Sequence, residues 1–309
     1  MNLALLGYGN MGRRHYNVLT ELGCRPEIVV DPFVDPTEVP PESIHHKHEW
    51  LSWHPSPEAV IAATPVNEHI LNCWAMAHSQ AVLFEKPLAT DASAALSIQW
   101  LGSHHNCLVF VAFVERYNPV VRKLREIITE GLLGVTWSVD FLRLGSMPAS
   151  TVIRQQDGVI IDLLPHDIDL FSFLFGDRIA EVQAHSWPVS ESEALCRVVA
   201  ESQTGILVSM MASWIQGIKR RQIVMRGSKG IARADLAGRT LTVTTSAGYT
   251  TFDIPEVNAL LEQDRDFCKV VETGDSQGLH LATAKDGVEC CVVLDAIRES
   301  ARANKAISL

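Results

Sequence analysis

Nowhere does this chain hold an apolar run approaching the roughly 20 residues that a membrane-spanning helix needs. A membrane-embedded helical protein is therefore not expected. Positive charge is also scarce. The 26 Lys and Arg stand against 36 Asp and Glu, for a formal net charge of -10. Nucleic-acid binders carry a basic stripe, and this balance argues against that class. A small anionic ligand stays compatible, because a glycine-rich loop binds phosphate whatever the net charge. None of the 7 cysteines (Cys24, Cys73, Cys107, Cys196, Cys268, Cys290, Cys291) has a CxxC partner. Their number is odd, and adjacent Cys290 and Cys291 suit a helix better than a disulfide. Reduced thiols in a cytosolic protein are the expectation. The opening MNLALLGYGN lacks a basic n-region and a long apolar h-region, so no secretory signal is expected. No tract is compositionally biased, and 47% apolar with 20% charged residues is ordinary for a globular protein. At about 150 residues per domain, 309 residues make two.

What is present is an alternation. LALLG, EIVVD, AVIAATP, AVLFEKP and LVFVAFVERYNP read as strands. MGRRHYNVLTELG, NEHILNCWAMAHS and ASAALSIQWLGSH read as helices between them. Strand–helix alternation predicts a parallel sheet covered on both faces. The Pro-rich stretch from Asp31 to Pro57 reads as a long loop with room for one short strand. After a helix over NPVVRKLREIITEG the pattern changes to closely spaced β segments, from VTWSVDFLRLG to YTTFDI. These predict a large, mostly antiparallel open sheet. Two closing helices cover VNALLEQDRDFCKVVETG and AKDGVECCVVLDAIRESARANK. The expected division is an α/β domain over residues 1–117 and an α+β domain over 118–309.

The sequence GYGNMG, Gly7 to Gly12, follows the first strand and opens a helix, the context that G-x-G-x-x-G requires. Gly7 allows the tight turn, Gly9 lets a pyrophosphate approach the backbone, and Gly12 lets helix and strand pack closely. Asn10 and Met11 lie between them, where free N–H groups and the positive end of the helix dipole face an anion. Asp31 closes the second strand about 20 residues on, where an acid accepts ribose hydroxyls and repels a 2′-phosphate. The following PFVDP offers no Arg or Lys for that phosphate. A Rossmann domain binding NAD rather than NADP is expected.

ATPVNEH and FEKP end the next two strands. Ligands in open α/β sheets lie beyond the carboxyl ends of the strands. Thr64, Pro65, Asn67, His69, Glu85 and Lys86 are thus expected along one crevice. The Lys86–Pro87 pair admits a cis bond. The histidine-rich HHKHEWLSWH, His45 to His54, matches no zinc-site spacing, and no metal is expected.

The stretch DLLPHDIDL places Asp162, His166, Asp167 and Asp169 in an apolar segment. With a helix starting near Asp162, Pro165 falls in its first turn, where a missing N–H costs little. Asp162 and His166 are then i, i+4 neighbours, and Asp169 is a candidate orienter of the imidazole. A histidine so held suits proton transfer near neutral pH. The same spacing equally describes a capped helix start with a satisfied, half-buried histidine.

GYGNMG, ATPVNEH, EKP and the Asp162–His166 pair, in this order and ahead of a β-rich half, resemble the glucose-fructose oxidoreductase / inositol dehydrogenase / rhizopine-catabolism (Gfo/Idh/MocA) family over essentially the whole chain. The resemblance implies an N-terminal Rossmann domain, a C-terminal domain with an open sheet, and NAD(P)-dependent chemistry at a sugar or polyol carbon. It implies that Lys86, Asp162 and His166 are the catalytic set. Two positions depart from the family pattern: Asp157-Gly158 stands where Gly-Gly is usual, and Leu164 where a glycine precedes the catalytic His. Within the family, VERYNPVV and GVIIDLLPHDIDL look like enzymes that oxidise C3 of UDP-N-acetylglucosamine. That likeness implies a role in amino-sugar supply for lipid A or surface glycans, with an aminotransferase as functional partner. It also implies that Arg116, Tyr117 and Asn118 meet substrate, consistent with Arg holding pyrophosphate or sugar oxygens.

Three rivals remain. Another sugar or inositol dehydrogenase shares every motif. A UDP-N-acetylglucosaminuronate 3-dehydrogenase needs a cation for its carboxylate, for which Arg143 and Arg154 are candidates. A non-catalytic NAD-sensing regulator would have no need of Lys86, Asp162 and His166. An open sheet needs its exposed face covered, so a homodimer or homotetramer is expected.

Overall fold

Leu3–Leu6, the LALL run, is buried on both sides in the computed structural model of the protein, which describes residues 1–41, 43–46, 56–147, 158–189 and 192–309. This strand, β1, is the centre of a parallel sheet. Parallel strands are covered on both faces and so read as continuous apolar runs. β2 (Ile28–Val30), β3 (Ile44–His46), β4 (Ala59–Ala62), β5 (Ala81–Phe84) and β6 (Leu108–Val111) join it in the spatial order β3-β2-β1-β4-β5-β6, and Ala282–Thr283 adds antiparallel beside β6. This is the doubly wound order, whose direction reverses between β1 and β4. Helix α1 (Asn10–Glu21) leaves directly from the glycine turn after β1. Helix α2 (Ala92–His104) is capped by the Asp91 carboxylate, which accepts from the Ala94 N–H. The helix expected over residues 67–79 is instead two 3-10 segments, Val66–Glu68 and Leu71–Ala77. There the polar side chains of His69 and Asn72 bond back to Thr64, in competition with a regular i→i+4 ladder.

The second unit begins at Glu115. Helix α3 (Pro119–Thr129) starts on an Asn118 cap with proline in its first turn, and buries Val120, Val121, Leu124 and Ile127. β7 (Thr136–Ser146) follows, then helix α4 (Leu164–Phe175) and strands β8 (Ile179–Val189), β9 (Ser192–Ser202), β10 (Leu207–Ser213), β11 (Ile215–Gly227), β12 (Gly230–Asp235), β13 (Thr240–Thr245) and β14 (Gly248–Phe252). Their order is β14-β13-β12-β11-β7-β10-β9-β8, with Ile307–Ser308 added beside β8. β7 and β10 are parallel; the other neighbouring pairs are antiparallel. A helical turn at residues 158–162 breaks at Leu163 before α4 begins, so Asp162 precedes the helix that carries His166.

Successive side chains of β7 alternate between its faces. Val139, Phe141 and Arg143 therefore share the inward one, and Arg143 is only 2% exposed. Its guanidinium donates to Asp167 Oδ1 of α4 at 2.8 and 3.0 Å, and to Glu115 Oε1 at 3.0 Å. Arg221 of β11 donates to the same Glu115 oxygen at 2.8 Å. Two residues along α4, Asp169 receives Arg116 through both carboxylate oxygens, with Nε at 2.9 and 3.0 Å. Asp167 and Asp169 are buried, while His166, just before them, keeps partial access. The ionisable groups in this apolar segment are thus of two kinds. The aspartates dock the helix, and the histidine stays partly exposed.

Helix α5 (Ala259–Thr273) and helix α6 (Ala284–Ala303) close the chain. They correct the simple division at residue 117. One unit is Met1–Val114 with Asn258–Cys291, and the other is Glu115–Val257 with Val292–Leu309. The reason is the apolar face of α5. Phe267, Cys268, Val270 and Val271 share a core with Leu3, Leu5, Leu19, Val29, Ile61, Leu83 and Phe110 of the Rossmann unit. Gly287 brings α6 against that unit as well, since a Cβ there would lie 2.8 Å from Leu88 and Val111 side-chain carbons.

Arg143→Leu should leave Asp167 and Glu115 buried without their main counter-charge. Breaking a buried pair from one side costs about 3–5 kcal/mol, which chemical denaturation would measure. A loss below about 1 kcal/mol, the worth of a solvated surface pair, would show that water reaches these carboxylates.

Candidate active site

The glycine turn is built by close approach. Gly7 has φ +85°, and a Cβ there would sit 2.7 Å from the Ala63 carbonyl oxygen. At Gly12 a Cβ would lie 2.0 Å from the Gly7 carbonyl oxygen, so only glycine lets α1 start so near the turn. Gly9 differs. A Cβ there would meet nothing within 4 Å, which leaves the space above the start of α1 open. No side chain caps this helix, and its first turn, with Asn10 and Met11, holds no acid. Open space, uncapped N–H groups and the positive dipole end suit the pyrophosphate of a dinucleotide. Asp31, half-buried at the end of β2, ties the turn down. Its Oδ2 accepts from the Tyr8 N–H at 2.7 Å, and its Oδ1 from Phe33 and Val34 N–H at 2.8 and 3.0 Å. Asp31 is thus a loop-fixing residue as well as the acid at the position expected to meet ribose.

Thr64, Pro65 and Asn67 follow β4, and Glu85 and Lys86 follow β5, all beyond the carboxyl ends of the sheet. The Lys86–Pro87 peptide is cis. Thr64 Oγ1 accepts from Asn72 at 2.6 Å. His69 departs from expectation. It is 1% exposed, and its ring nitrogens face the carbonyl oxygens of Leu88 and Thr64 at 3.0 and 3.2 Å. Burial lowers its pKa, and a neutral ring donates to one of these two carbonyls; the side chain is enclosed and does not line an open crevice.

Glu85 leads to a group that sequence spacing did not reveal. His15, in the second turn of α1, is wholly buried. Its Nδ1 lies 2.8 Å from Asp264 Oδ2 on α5, and its Nε2 lies 3.2 Å from Glu85 Oε1. A neutral imidazole donates from one nitrogen only, whereas the protonated ring donates from both. Burial alone would depress its pKa, but Asp264 and Glu85 override that and push it up to about 10. Burial by itself would raise Glu85. The His15 hydrogen bond and charge, with the Lys86 charge, bring it below the ordinary glutamate value. The other Glu85 oxygen accepts the Lys86 backbone N–H at 3.1 Å. The only signal in the sequence is a histidine and an aspartate, each within a segment read as a helix.

In the second unit, Asp162 and His166 are both partly exposed. The trio Arg116, Tyr117 and Asn118 is corrected by the packing. Arg116 is buried against Asp169 and stacks over the Phe173 ring at 5.2 Å. Tyr117 is 1% exposed. The Asn118 side chain caps α3 through the Val120 N–H at 3.0 Å, and its amide donates to Glu115 at 3.2 Å. These three residues are scaffold for α3 and α4. Asp169, considered as the orienter of His166, is engaged by Arg116. Arg143, weighed as a carboxylate receptor, is engaged by Asp167 and Glu115. Arg154, Asp157 and residues 47–54 of the histidine-rich stretch lie outside the described residues. Among the described residues, no group of three or more His, Cys, Asp or Glu is arranged to hold a metal.

Residues 1–113 match the model of the oxidoreductase family with an NAD-binding Rossmann fold, and residues 121–233 match that of the GFO/IDH/MocA C-terminal domain. Among curated proteins, an inositol 2-dehydrogenase from Mycolicibacterium vanbaalenii is 27% identical over 194 residues, covering 59% of this chain. The match spans little more than half of that protein, 56% of its length. Among solved structures, a UDP-N-acetylglucosamine 3-dehydrogenase from Acidithiobacillus ferrooxidans superposes with a TM-score of 0.86 at 18% identity, covering 98% of each chain. An oxidoreductase from Agrobacterium radiobacter, solved with NAD+, L-tartaric acid and magnesium, gives 0.86 at 18% identity over 100% of this chain and 98% of that one.

A test follows from His15. Its folded-state pKa of about 10 exceeds the ordinary 6.5, so between these values the folded protein holds a proton that the unfolded chain has released. The stabilisation is complete below pH 6.5 and is lost as pH rises through about 10. The stability gap between the parent protein and His15→Asn, measured by denaturant titration, should therefore narrow steadily over that range. A gap that stays constant would mean a neutral imidazole.

Proposed function

Because this chain belongs to the GFO/IDH/MocA oxidoreductase family, we propose that it is an NAD-dependent dehydrogenase oxidising a secondary hydroxyl of a sugar or polyol. The observation that carries this reading is the glycine turn at the reversal point of the β3-β2-β1-β4-β5-β6 sheet, with Lys86 at the end of β5. The backbone at Gly7, Gly9, Asn10, Met11 and Gly12 would hold the pyrophosphate, Asp31 the adenosine ribose, and Thr64, Pro65 and Asn67 the nicotinamide half. NAD supplies the hydride acceptor. Lys86 polarises the substrate oxygen, His166 takes its proton, and Asp162 binds a neighbouring hydroxyl. The roles of Lys86 and His166 are open to exchange.

The substrate we carry forward is UDP-N-acetylglucosamine, oxidised at C3, on the strength of VERYNPVV and GVIIDLLPHDIDL. A 3-keto product is what a sugar aminotransferase consumes, so such an enzyme is the functional partner of this reading. A second reading, an inositol or another free polyol, is favoured by two observations. The curated relative named above is an inositol 2-dehydrogenase. Arg116, the cation expected to meet a nucleotide sugar, is engaged by Asp169.

One panel separates them. The protein is mixed with NAD and, in turn, UDP-N-acetylglucosamine, UDP-N-acetylglucosaminuronate, myo-inositol and glucose, and the absorbance of the reduced cofactor is followed. Reduction with UDP-N-acetylglucosamine is the expected result. Reduction with myo-inositol alone would establish the second reading, and reduction with no polyol would favour an NAD-binding regulator. Calorimetry should find NAD bound at least about tenfold tighter than NADP, around 1.4 kcal/mol. Asp31→Ala should narrow that gap, and equal binding by the parent protein would refute the cofactor assignment.

A further inference from the structure

The Rossmann unit holds three charged side chains in a row, two of them fully buried on helices and the third partly buried. Asp264 on α5, His15 on α1 and Glu85 after β5 form one hydrogen-bonded line, at 2.8 and 3.2 Å, that ends at the Lys86 backbone N–H, 3.1 Å from Glu85. Such a line is costly to bury. Well-packed apolar residues of similar size serve helix docking as well as or better than a buried ion pair. Docking α1 onto α5 needs, moreover, only the Asp264 end. The Nε2 end has a different destination, the glutamate that fixes the backbone of the lysine.

We propose that His15 is a positioning residue for Lys86: anchored by Asp264, it immobilises the Glu85 carboxylate, and Glu85 in turn sets the backbone from which the Lys86 side chain projects. This rests on the reading of Lys86 as a catalytic group. An imidazolium suits the task because it is a rigid, two-ended donor, able to bond one carboxylate at each nitrogen. The line also joins two functions. The helix that presents its N-terminus to the dinucleotide carries the residue that steadies the lysine. Small errors in such placement matter, since a misplacement of about 1 Å can cost on the order of a hundredfold in rate.

The test uses two variants, so that a poorly folding one does not decide it. His15→Asn keeps a polar group but cannot bridge both carboxylates. Asp264→Asn keeps the oxygen that receives the imidazole N–H and removes its charge. Hydrogen exchange by mass spectrometry, without cofactor, should show the Lys86 amide exchanging faster in both variants, while the amides of Ala81–Phe84 in β5 stay protected. Single-turnover hydride transfer at saturating NAD should fall about tenfold or more, with NAD affinity by calorimetry changed by less than about threefold, roughly 0.7 kcal/mol. In a Lys86→Met background, His15→Asn should add almost nothing, because residues acting as one unit are non-additive. Exchange that accelerates throughout the unit, or a rate loss that is the same with and without Lys86, would make His15 a helix-docking residue and overturn the proposal. A Lys86→Met protein that reacts at nearly the parent rate would overturn it differently, by removing Lys86 from the chemistry.

Discussion

A buried charge must meet an opposite charge, and in this protein that constraint fixes both halves of the candidate chemistry. In the Rossmann unit, the imidazolium of His15 lies between Asp264 and Glu85. Removing His15 would leave the two carboxylates without their shared counter-charge. In the second unit, Arg143 and Arg116 reach Asp167 and Asp169 on the first turns of α4. His166 immediately precedes Asp167 in the first turn of α4, so the ion pairs that dock this helix also hold its backbone, while its side chain keeps partial access. Rigid elements with locked supporting contacts are what a proton-transferring group requires.

Much of this arrangement is legible in the sequence because it is local. The glycine turn follows from three positions that the structure explains one by one: positive φ at Gly7, open space at Gly9, and carbonyl contact at Gly12. The continuous apolar runs of β1, β4 and β5 announce a sheet buried on both faces, and the alternating segments after residue 135 announce one exposed on a face. Lys86 and His166 stand out as polar chemistry at element ends.

What is not legible is long-range pairing. His15 and Asp264 are 249 residues apart in sequence, and nothing in an amphipathic helix names the partner of its one buried charge. For the same reason α5 reads as part of the β-rich half, although its apolar face belongs to the Rossmann core. The trio Arg116, Tyr117 and Asn118 shows the converse error. Polar residues at a domain boundary look like a binding site until their partners are known, and here those partners are Asp169, the surrounding core and the first turn of α3. Arg143 did carry a usable signal, as a charge in register with Val139 and Phe141 on the inward face of β7. A cation at a core position implies buried acids nearby.

The most direct test of the chemistry is single-turnover hydride transfer in His166→Asn, with folding checked by melting temperature. Asparagine preserves size and polarity but accepts no proton near neutral pH. Loss of a general base lowers the rate by roughly 10²–10⁴, with NAD affinity unchanged, and that is the result expected here. A folded variant that transfers hydride within about threefold of the parent rate, well short of the general-base range, would contradict it and make His166 a structural residue of α4.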